Sequence, residues 1–325
     1  MRLDGPFLKL PIRFDAGAIA AEVRALPSEA WSAHPTGFVG NEAVRLVSPG
    51  GRPTDETDGV MAPTPALRQM AYVRQVMEEI GSVWGRSRLM GLAAGGEVPL
   101  HLDTHYYWRT HWRIHIPVIT NPGVLFTCGD ETVHMAAGEC WLFDSFQWHR
   151  VENKGAEQRI HLVLDTVGGG RLPDLIEQAK AGAEARMLPP GTTRGAELVF
   201  EKLNAPRVMS PWEMRCHVAF LREHAVPHPL LSQIFGRVDR FMDNWAAAWA
   251  VFGVEDSGRP TYGALLSQLR GDLAALGGEE LKLKNGWPLN GMFDTLLFQV
   301  ALKTVGQPPA QGRFEPYTAA RAARL

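Results

Sequence analysis

With 325 residues the chain is longer than a typical single domain, so its length predicts two domains or one domain with a large appendage. Hydrophobic residues make up 45% and charged residues 21%, which is ordinary globular usage and excludes a disordered, collagen-like or rod-like chain. Lys and Arg together (33) nearly balance Asp and Glu (35), so we expect neither a nucleic acid nor an anionic membrane as a partner.

The N-terminus and the cysteines indicate compartment and redox state. The first residues, MRLDGPFLKLPIRFD, contain no apolar run as long as a signal sequence, and no later segment offers the roughly 20 apolar residues of a membrane helix. Cys128, Cys140 and Cys216 are odd in number and lack CxxC spacing, which fits neither a disulfide framework nor a thiolate zinc site. The sequence therefore predicts a cytoplasmic protein with reduced, buried cysteines.

The first 85 residues predict two helices separated by a long loop. The segment DAGAIAAEVRAL begins with Asp15 at an N-cap position and places its apolar residues at helical spacing. Residues 28–63 predict a loop, because the stretch SPGGRPTDETDG is dense in Gly, Pro, Asp and Thr. Residues 64–85 carry an apolar stripe of helical period, which predicts a second helix covering a sheet.

Residues 88–168 change in character to short strands separated by turns. Asn121-Pro122-Gly123, Gly129-Asp130 and Asn153-Lys154-Gly155 supply residues that tolerate tight or positive-φ turns, and they predict chain reversals. Such spacing is typical of a β-sandwich or barrel and favours a jelly roll. The predicted strands are 89–93, 111–119, 124–127, 132–135, 140–143 and 159–165.

The β signal stops after Gly168-Gly169-Gly170, and nearly everything up to residue 303 predicts helices. We therefore expect a first domain of residues 1–170, in which N-terminal helices support the jelly roll, and an all-α second domain of residues 171–325. Ser210-Pro211-Trp212-Glu213 has the Ser cap, first-turn Pro and capping-box Glu of a helix start. Further helices are predicted at 229–251, 262–276 and 289–303, and residues 307–325 predict a loosely held tail.

A metal-ligating pattern lies in the β region, where His101-Leu102-Asp103 is followed at a distance by His149. Side chains at i and i+2 of an extended segment point the same way, so His101 and Asp103 can meet one metal ion from one strand or its end. His149 follows a predicted strand by a short loop and can close the triangle. Two imidazoles and one carboxylate on one face form the facial triad of non-haem iron sites. Taken singly, an HxD or a lone His is more often an ordinary surface or core residue.

Arg159 strengthens the metal hypothesis. It stands ten residues after His149 and opens the strand RIHLVLD, so it brings a forked, permanently charged donor into the same barrel. A buried arginine needs an anion as a partner. Nearby protein carboxylates can serve, and so can a dicarboxylic cosubstrate whose other end chelates the metal.

Residues 101–169, from HLDTHYYWRTHWRIHIPV to QRIHLVLDTVGG, resemble the aspartyl/asparaginyl β-hydroxylase-like family of 2-oxoglutarate oxygenases, and within it the bacterial proline hydroxylase branch. The resemblance is specific from about residue 95 to 168, weak over the N-terminal helices and absent from the C-terminal half. It implies that His101, Asp103 and His149 hold the catalytic iron.

The same resemblance assigns the cosubstrate. It implies that Arg159 holds the distal carboxylate of 2-oxoglutarate. The family's RxH on the preceding strand matches Arg113 and His115, which share a face and would reach the cosubstrate or its carboxylate environment. The alternative for these two residues is a cross-strand polar pair on the sheet.

The family implies a double-stranded β-helix, that is a jelly roll, that uses Fe(II), 2-oxoglutarate and O2, with ascorbate in a supporting role. The implied reaction hydroxylates an unactivated C–H bond of an amino acid, free or within a peptide, and releases succinate and CO2. Three roles stay open for the helical half: a cap on the pocket, a surface for a carrier or peptide, or the interface of a homodimer.

Two other functional classes stay open. A cupin-like metal-binding barrel, acting as an isomerase or a sensor, would keep the histidines but give Arg159 no purpose. A scaffold or interaction protein built on the helical half, with a degenerate barrel, predicts no metal at all.

Overall fold

The computed structural model describes residues 3–191, 197–204 and 207–303, together with the backbone of Tyr317–Thr318. The chain divides into two compact units, with the main boundary after Asn204. The barrel unit comprises residues up to Asp103, residues 107–204 and the short strand near the C-terminus, and the helical unit comprises residues 104–106 and the chain beyond 204. The domain boundary near residue 170 remains a prediction, although residues 171–204 group with the barrel unit.

The elements of the barrel unit follow in chain order. Up to residue 92 they are β1 (Phe7–Phe14), α1 (Ala16–Arg24), β2 (Ser32–Ala33), β3 (Asn41–Pro49), β4 (Met61–Pro63), α2 (Pro65–Gln69), α3 (Ala71–Ile80) and β5 (Val83–Leu92). They continue with β6 (Glu97–Leu102), α4 (Tyr106–Thr110), β7 (Trp112–Ile119), β8 (Val124–Cys128), β9 (Glu131–Val133), β10 (Glu139–Phe143), β11 (His149–Asn153) and β12 (Arg159–Gly168). The remaining elements are α5 (Leu172–Lys180), β13 (Arg186–Leu188) and β14 (Val199–Phe200).

The strands from β5 to β12 alternate between two sheets. A large sheet has the order β13-β1-β10-β7-β12-β5-β3-β2, with β4 and β14 paired at its side, and a small sheet contains β6, β11, β8 and β9. Thus β5, β7, β10 and β12 lie in the large sheet, while β6, β8, β9 and β11 lie opposite them in the small one. This alternation is the topology of a double-stranded β-helix, and the predicted jelly roll is confirmed.

The N-terminal helices pack on the outer face of the large sheet. Asp15 caps α1 by accepting a hydrogen bond from the Ala18 amide at 2.9 Å, as predicted. The single helix expected over residues 64–85 is wrong, because Met70 has non-helical φ and ψ and separates α2 from α3. Helix α3 is capped at its C-terminus by Gly81, whose φ of 60° favours glycine, and β5 begins two residues later.

The loop expected over residues 28–63 is also wrong in part. Its middle forms β3, which pairs antiparallel with β5 from Asn41 opposite Leu92 onwards. The sequence NEAVRLVSP is buried along almost all of its length in the large sheet. Residues 34–40 and the Gly- and Pro-rich residues 50–59 form loops, as predicted.

The helical unit contains α6 (Pro211–His224), α7 (Leu231–Phe252), α8 (Arg259–Leu276) and α9 (Leu289–Phe293). Ser210 accepts the Glu213 amide at 3.2 Å and caps α6, which confirms the predicted helix start. The last helix is shorter than expected and continues as a π-helical segment, Asp294–Phe298. Among the described residues no helix is both long and apolar enough to cross a membrane.

The segment between the jelly roll and α6 is not purely helical as expected. The strand β13 runs parallel to β1, and β14 runs parallel to β5, so this segment extends the large sheet. Backbone pairing with β1 and β5 forms these short strands, which are mostly exposed, and their sequence carries little strand pattern. The tail expected at 307–325 lies outside the described residues, except that the backbone of Tyr317–Thr318 forms β15 and pairs with β6.

Candidate active site

Three potential metal ligands meet on the small sheet. His101 in β6 and His149 in β11 are directly opposite each other in the ladder, and Asp103 follows the end of β6. The ligand atoms of the three residues lie within 4.8 Å of one another. The Asp103 carboxylate oxygens stand 3.9 Å from the Nε2 atom of each histidine. The structure therefore brings together the three residues that the HxD…H pattern singled out.

Backbone carbonyls fix the orientation of both imidazoles. The Nδ1 atom of His101 lies 2.7 Å from the Pro99 carbonyl oxygen, and that of His149 lies 2.9 Å from the Gln147 carbonyl oxygen. Because a carbonyl only accepts, Nδ1 carries the proton in both rings and the Nε2 lone pairs point to the shared centre. Burial, followed by the repulsion that a protonated His101 would exert, lowers the pKa of His149 to about 3, so this ring is neutral and able to bind a metal.

Arg113 in β7 orients the Asp103 carboxylate through a hydrogen bond. Its Nη1 donates to Asp103 at 3.0 Å and its Nε donates to Asp165 at 3.1 Å, while the Trp108 ring centroid lies 3.7 Å from its guanidinium carbon. Burial alone would raise the pKa of Asp103, but the charge of Arg113 leaves it below its usual value. The carboxylate is therefore ionised and oriented before any metal binds.

Arg159 has a different environment. It opens β12 opposite Leu92 and is only 3% exposed. Burial lowers the pKa of its guanidinium to about 9, and no carboxylate counteracts this effect. Among the described residues Arg159 has no ion-pair partner, and its Nε has no hydrogen-bond acceptor. A buried guanidinium with an uncompensated charge is a strong candidate for binding an anion that enters from solution.

His115 and Phe126 connect these two regions. The His115 ring lies 5.4 Å from the Phe126 ring, which in turn stacks at 6.3 Å on His149. The Nδ1 atom of His115 lies 3.4 Å from Nδ1 of His161, and its Nε2 atom has no hydrogen-bond partner among the described residues. Burial and then the charge of Arg159 hold the pKa of His115 well below its usual value. The interior is thus lined by neutral, largely apolar groups between two charged ends.

The outcome for the other candidates is mixed. Arg113 does form the cross-strand pair named as the alternative, since it stands opposite Asp165 in the ladder, but it also contacts Asp103. Two further histidines point elsewhere: His111 lies 3.0 Å from Glu201, and His134 lies 3.0 Å from the Val124 carbonyl. The ligand and cosubstrate roles of all these side chains remain predictions.

Sequence reasoning overlooked Asp165 and Phe126. Asp165 is 1% exposed and joins Arg113 to the next strand. An acid at the end of the apolar run RIHLVLD was the available signal, because a carboxylate is rarely buried without a paired cation. Phe126 carried no such signal, since an aromatic residue in a strand is usually core.

Comparison with known proteins places this geometry in context. Residues 57–168 match the family model described as aspartyl/asparaginyl beta-hydroxylase. No curated protein matches the chain.

Three similar solved structures are distant from this chain in sequence. An oxidoreductase of the 2OG-Fe(II) oxygenase family from Burkholderia pseudomallei is 15% identical, with a TM-score of 0.39 over 51% of this chain and 86% of that one. A prolyl-4-hydroxylase from Pseudomonas putida is 14% identical, with a TM-score of 0.35 over 51% of this chain and 95% of that one. A prolyl hydroxylase from Trichoplax adhaerens, in complex with a hypoxia inducible factor peptide, is 12% identical, with a TM-score of 0.37 over 56% and 88%. These likenesses are too remote to transfer an activity.

Proposed function

We propose that this chain, in which residues 57–168 belong to the aspartyl/asparaginyl beta-hydroxylase family, is an Fe(II)- and 2-oxoglutarate-dependent oxygenase. One observation carries the proposal. The barrel interior combines the His–Asp–His set with Arg159, a buried arginine that forms no ion pair with any described residue. A cupin-like isomerase or sensor accounts for His101, Asp103 and His149 but not for Arg159. A scaffold protein accounts for neither.

The donor set fits Fe(II). Two imidazoles, each with its Nδ1 bonded to a backbone carbonyl, and one ionised carboxylate on a single face are the ligand types of mononuclear iron oxygenases, and they would leave positions open for a bidentate cosubstrate and O2. When bound, Fe(II) and 2-oxoglutarate together supply the oxidation of an unactivated C–H bond, with release of succinate and CO2. The supporting role of ascorbate stays a prediction.

The residues of this chain would bind, orient and shield. Arg159 would hold the distal carboxylate of 2-oxoglutarate, and the free Nε2 of His115 would contribute a hydrogen bond inside the pocket. Arg113 would keep Asp103 oriented toward the metal. Phe126 and Phe143, whose rings pack 4.9 Å apart beside His149, would exclude water from this side.

The substrate that we propose is an amino acid, free or within a peptide, in keeping with the resemblance of the sequence from about residue 95 to 168 to the bacterial proline hydroxylase branch. A homodimer, a cytoplasmic location and a role of the helical unit in capping or partner binding remain predictions.

The decisive experiment measures succinate formed from 2-oxoglutarate with Fe(II) and O2 across a panel of free amino acids and peptides, with mass spectrometry of the products. We expect succinate and a hydroxylated product to appear together with one class of substrate. Asp103→Ala should abolish both, whereas His134→Ala, an imidazole outside the triad, should leave both intact. An active Asp103→Ala enzyme, or a metal-loaded wild type that consumes no 2-oxoglutarate with any substrate, would refute the proposal.

A further inference from the structure

A second set of buried charges continues from Asp165 across the large sheet. Arg86 in β5 places its Nε 3.8 Å from the Asp165 carboxylate. Arg88, two residues further along β5, stands directly opposite Arg45 of β3 in the ladder. All three arginines are at most 6% exposed. Buried guanidiniums on neighbouring strands repel one another unless anions lie between them.

One carboxylate, that of Asp55, lies among these three arginines. Arg45 holds it with both ends of its fork, with an Nε to Oδ1 distance of 3.1 Å and a second bond from Nη2 to Oδ2. Arg88 approaches Oδ1 to 3.6 Å. Arg86 donates from Nη1 to the backbone carbonyl of the same residue at 3.1 Å. A bidentate arginine with a second cation alongside is the arrangement by which proteins bind a carboxylate ligand.

Several guanidiniums share few carboxylates along this face. In the ion pairs described above, four guanidiniums contact three carboxylates, namely Arg45, Arg86, Arg88 and Arg113 with Asp55, Asp103 and Asp165. His34 lies 2.9 Å from Arg88, but burial and then that arginine depress its pKa far below the usual range, so it stays neutral. Burial, followed by the charges of Arg86 and Arg113, lowers the pKa of Arg88 to about 9. An additional anion would stabilise the cluster.

Asp55 belongs to the loop of residues 50–59, which has glycines at both ends. Glycines with positive φ stand at both ends, Gly50 and Gly51 at 64° and 67° and Gly59 at 134°. Between them the loop is tied by Asn204, which accepts from the Gly59 amide and donates to the Thr57 carbonyl, both at 2.8 Å. The Asp55 side chain is 23% exposed, unlike the arginines that hold it. Solvent therefore reaches the anion and not the cations.

We propose that Arg45 and Arg88 form a carboxylate-binding site which Asp55 fills as an internal ligand, and that the carboxylate of a substrate replaces Asp55 when loop 50–59 moves aside. The assignment of the ligand to a substrate rests on the proposed oxygenase function, whereas the anion site itself does not. Asp55 then acts as a built-in competitor that lowers affinity for weak anions.

The position of this site indicates the size of the ligand. The contacts run from Asp103 through Arg113 and Asp165 to Arg86, and so cross from β7 through β12 to β5. Arg88 lies on β5 and Arg45 on the next strand, β3, so two to three strand spacings separate the site from β7, which is roughly 10–14 Å. A peptide with a terminal or side-chain carboxylate spans this distance, and a single free amino acid does not. We therefore infer that the hydroxylated residue and the bound carboxylate belong to different parts of one peptide.

The test is chemical rescue of Asp55→Asn by acetate, measured as the melting temperature of the metal-free full chain in sodium acetate and in sodium chloride at equal ionic strength. Removing the carboxylate leaves buried cations uncompensated, so we expect the melting temperature to fall by about 4 °C or more. Acetate at about 100 mM should restore at least half of the loss by binding to the folded state, and chloride should not. Glu56→Gln is the matched control: Glu56 lies on the same loop in an exposed pair with Arg52, and it should show neither loss nor rescue.

Equal shifts with acetate and chloride in a soluble Asp55→Asn protein would overturn the anion site. Should that variant be insoluble, Arg86→Gln/Asp55→Asn removes one neighbouring cation with the anion, keeps Arg45 and Arg88, and is titrated in the same way with the same criterion. Because neither Fe(II) nor 2-oxoglutarate is present, failure of rescue is independent of failure of turnover. For a peptide that is turned over, replacing its carboxylate by a carboxamide should raise KM at least tenfold in wild type and change it little in Arg88→Gln. No such difference in wild type would refute the substrate assignment alone.

Discussion

Arg113 and Arg159 are both buried in the same barrel, yet their surroundings are opposite. Arg113 is held between the carboxylates of Asp103 and Asp165, and these charges raise its pKa although burial alone would lower it. Arg159 is buried and no described carboxylate compensates its charge, so its pKa falls to about 9. Residue type and exposure therefore do not distinguish an arginine that orients protein groups from one that awaits a ligand. The nearest carboxylate does.

The difference has an energetic consequence. A saturated buried ion pair resists the loss of either partner, because the remaining charge is left desolvated. An uncompensated buried charge instead opposes folding and is stabilised only when its ligand binds. Removing Arg113 should therefore weaken the fold, and removing Arg159 should weaken ligand binding.

The largest expected effect is on stability, in Arg113→Met. This change leaves two buried carboxylates without their shared cation and should lower the free energy of unfolding by about 3–5 kcal/mol. Denaturant titration of the metal-free protein measures it. Arg150→Met is the control: Arg150 is 42% exposed and, among the described residues, forms an ion pair with Glu152, so stability should change by less than about 1 kcal/mol. Equal effects of the two substitutions would contradict the view that Arg113 compensates the charges of Asp103 and Asp165.

The next effect is on cosubstrate binding, in Arg159→Met. The dissociation constant for 2-oxoglutarate, measured anaerobically by calorimetry, should rise about 100-fold or more, equivalent to about 2.7 kcal/mol. Iron content and the free energy of unfolding should not fall, because no protein carboxylate loses its partner. Arg159→Lys keeps the charge but not the fork, and should recover only part of the affinity.

A different result in Arg159→Met would reverse the comparison. If this variant binds 2-oxoglutarate like wild type and loses stability as Arg113→Met does, Arg159 is structural. The cosubstrate anchor must then be sought at Arg113 or His115.

The smallest effect concerns the ring beside Arg113. Trp108→Leu removes an aromatic face that lies 3.7 Å from the Arg113 guanidinium and 4.9 Å from that of Arg86, so stability should fall by about 1 kcal/mol. A double-mutant cycle with Arg113→Met isolates the ring–cation coupling. Additive losses would show that the two carboxylates alone set the environment of Arg113.

The strands that sequence found and those it missed differ in a physical way. The strands β7, β10 and β12 are buried in the large sheet and present runs of apolar residues, so their periodicity is legible. The strands β6 and β11, which carry the two histidines, read EVPLHL and HRVEN. These two strands are short and interrupted by polar residues or Pro99, whereas β3, which is apolar, was missed because Gly- and Pro-rich residues follow it.

The sequence by itself determined the candidate ligands, the arginine at position 159 and the caps of α1 and α6, because each depends on residues close along the chain or on a motif. Only the tertiary structure decided which buried charges neutralise one another. It joined Arg113 to Asp165 across a ladder, brought Asp55 to Arg45 and Arg88, and left Arg159 without an ionic partner among the described residues. Electrostatic pairing depends on distances between side chains of different strands, and strand order and register in the folded sheet set those distances.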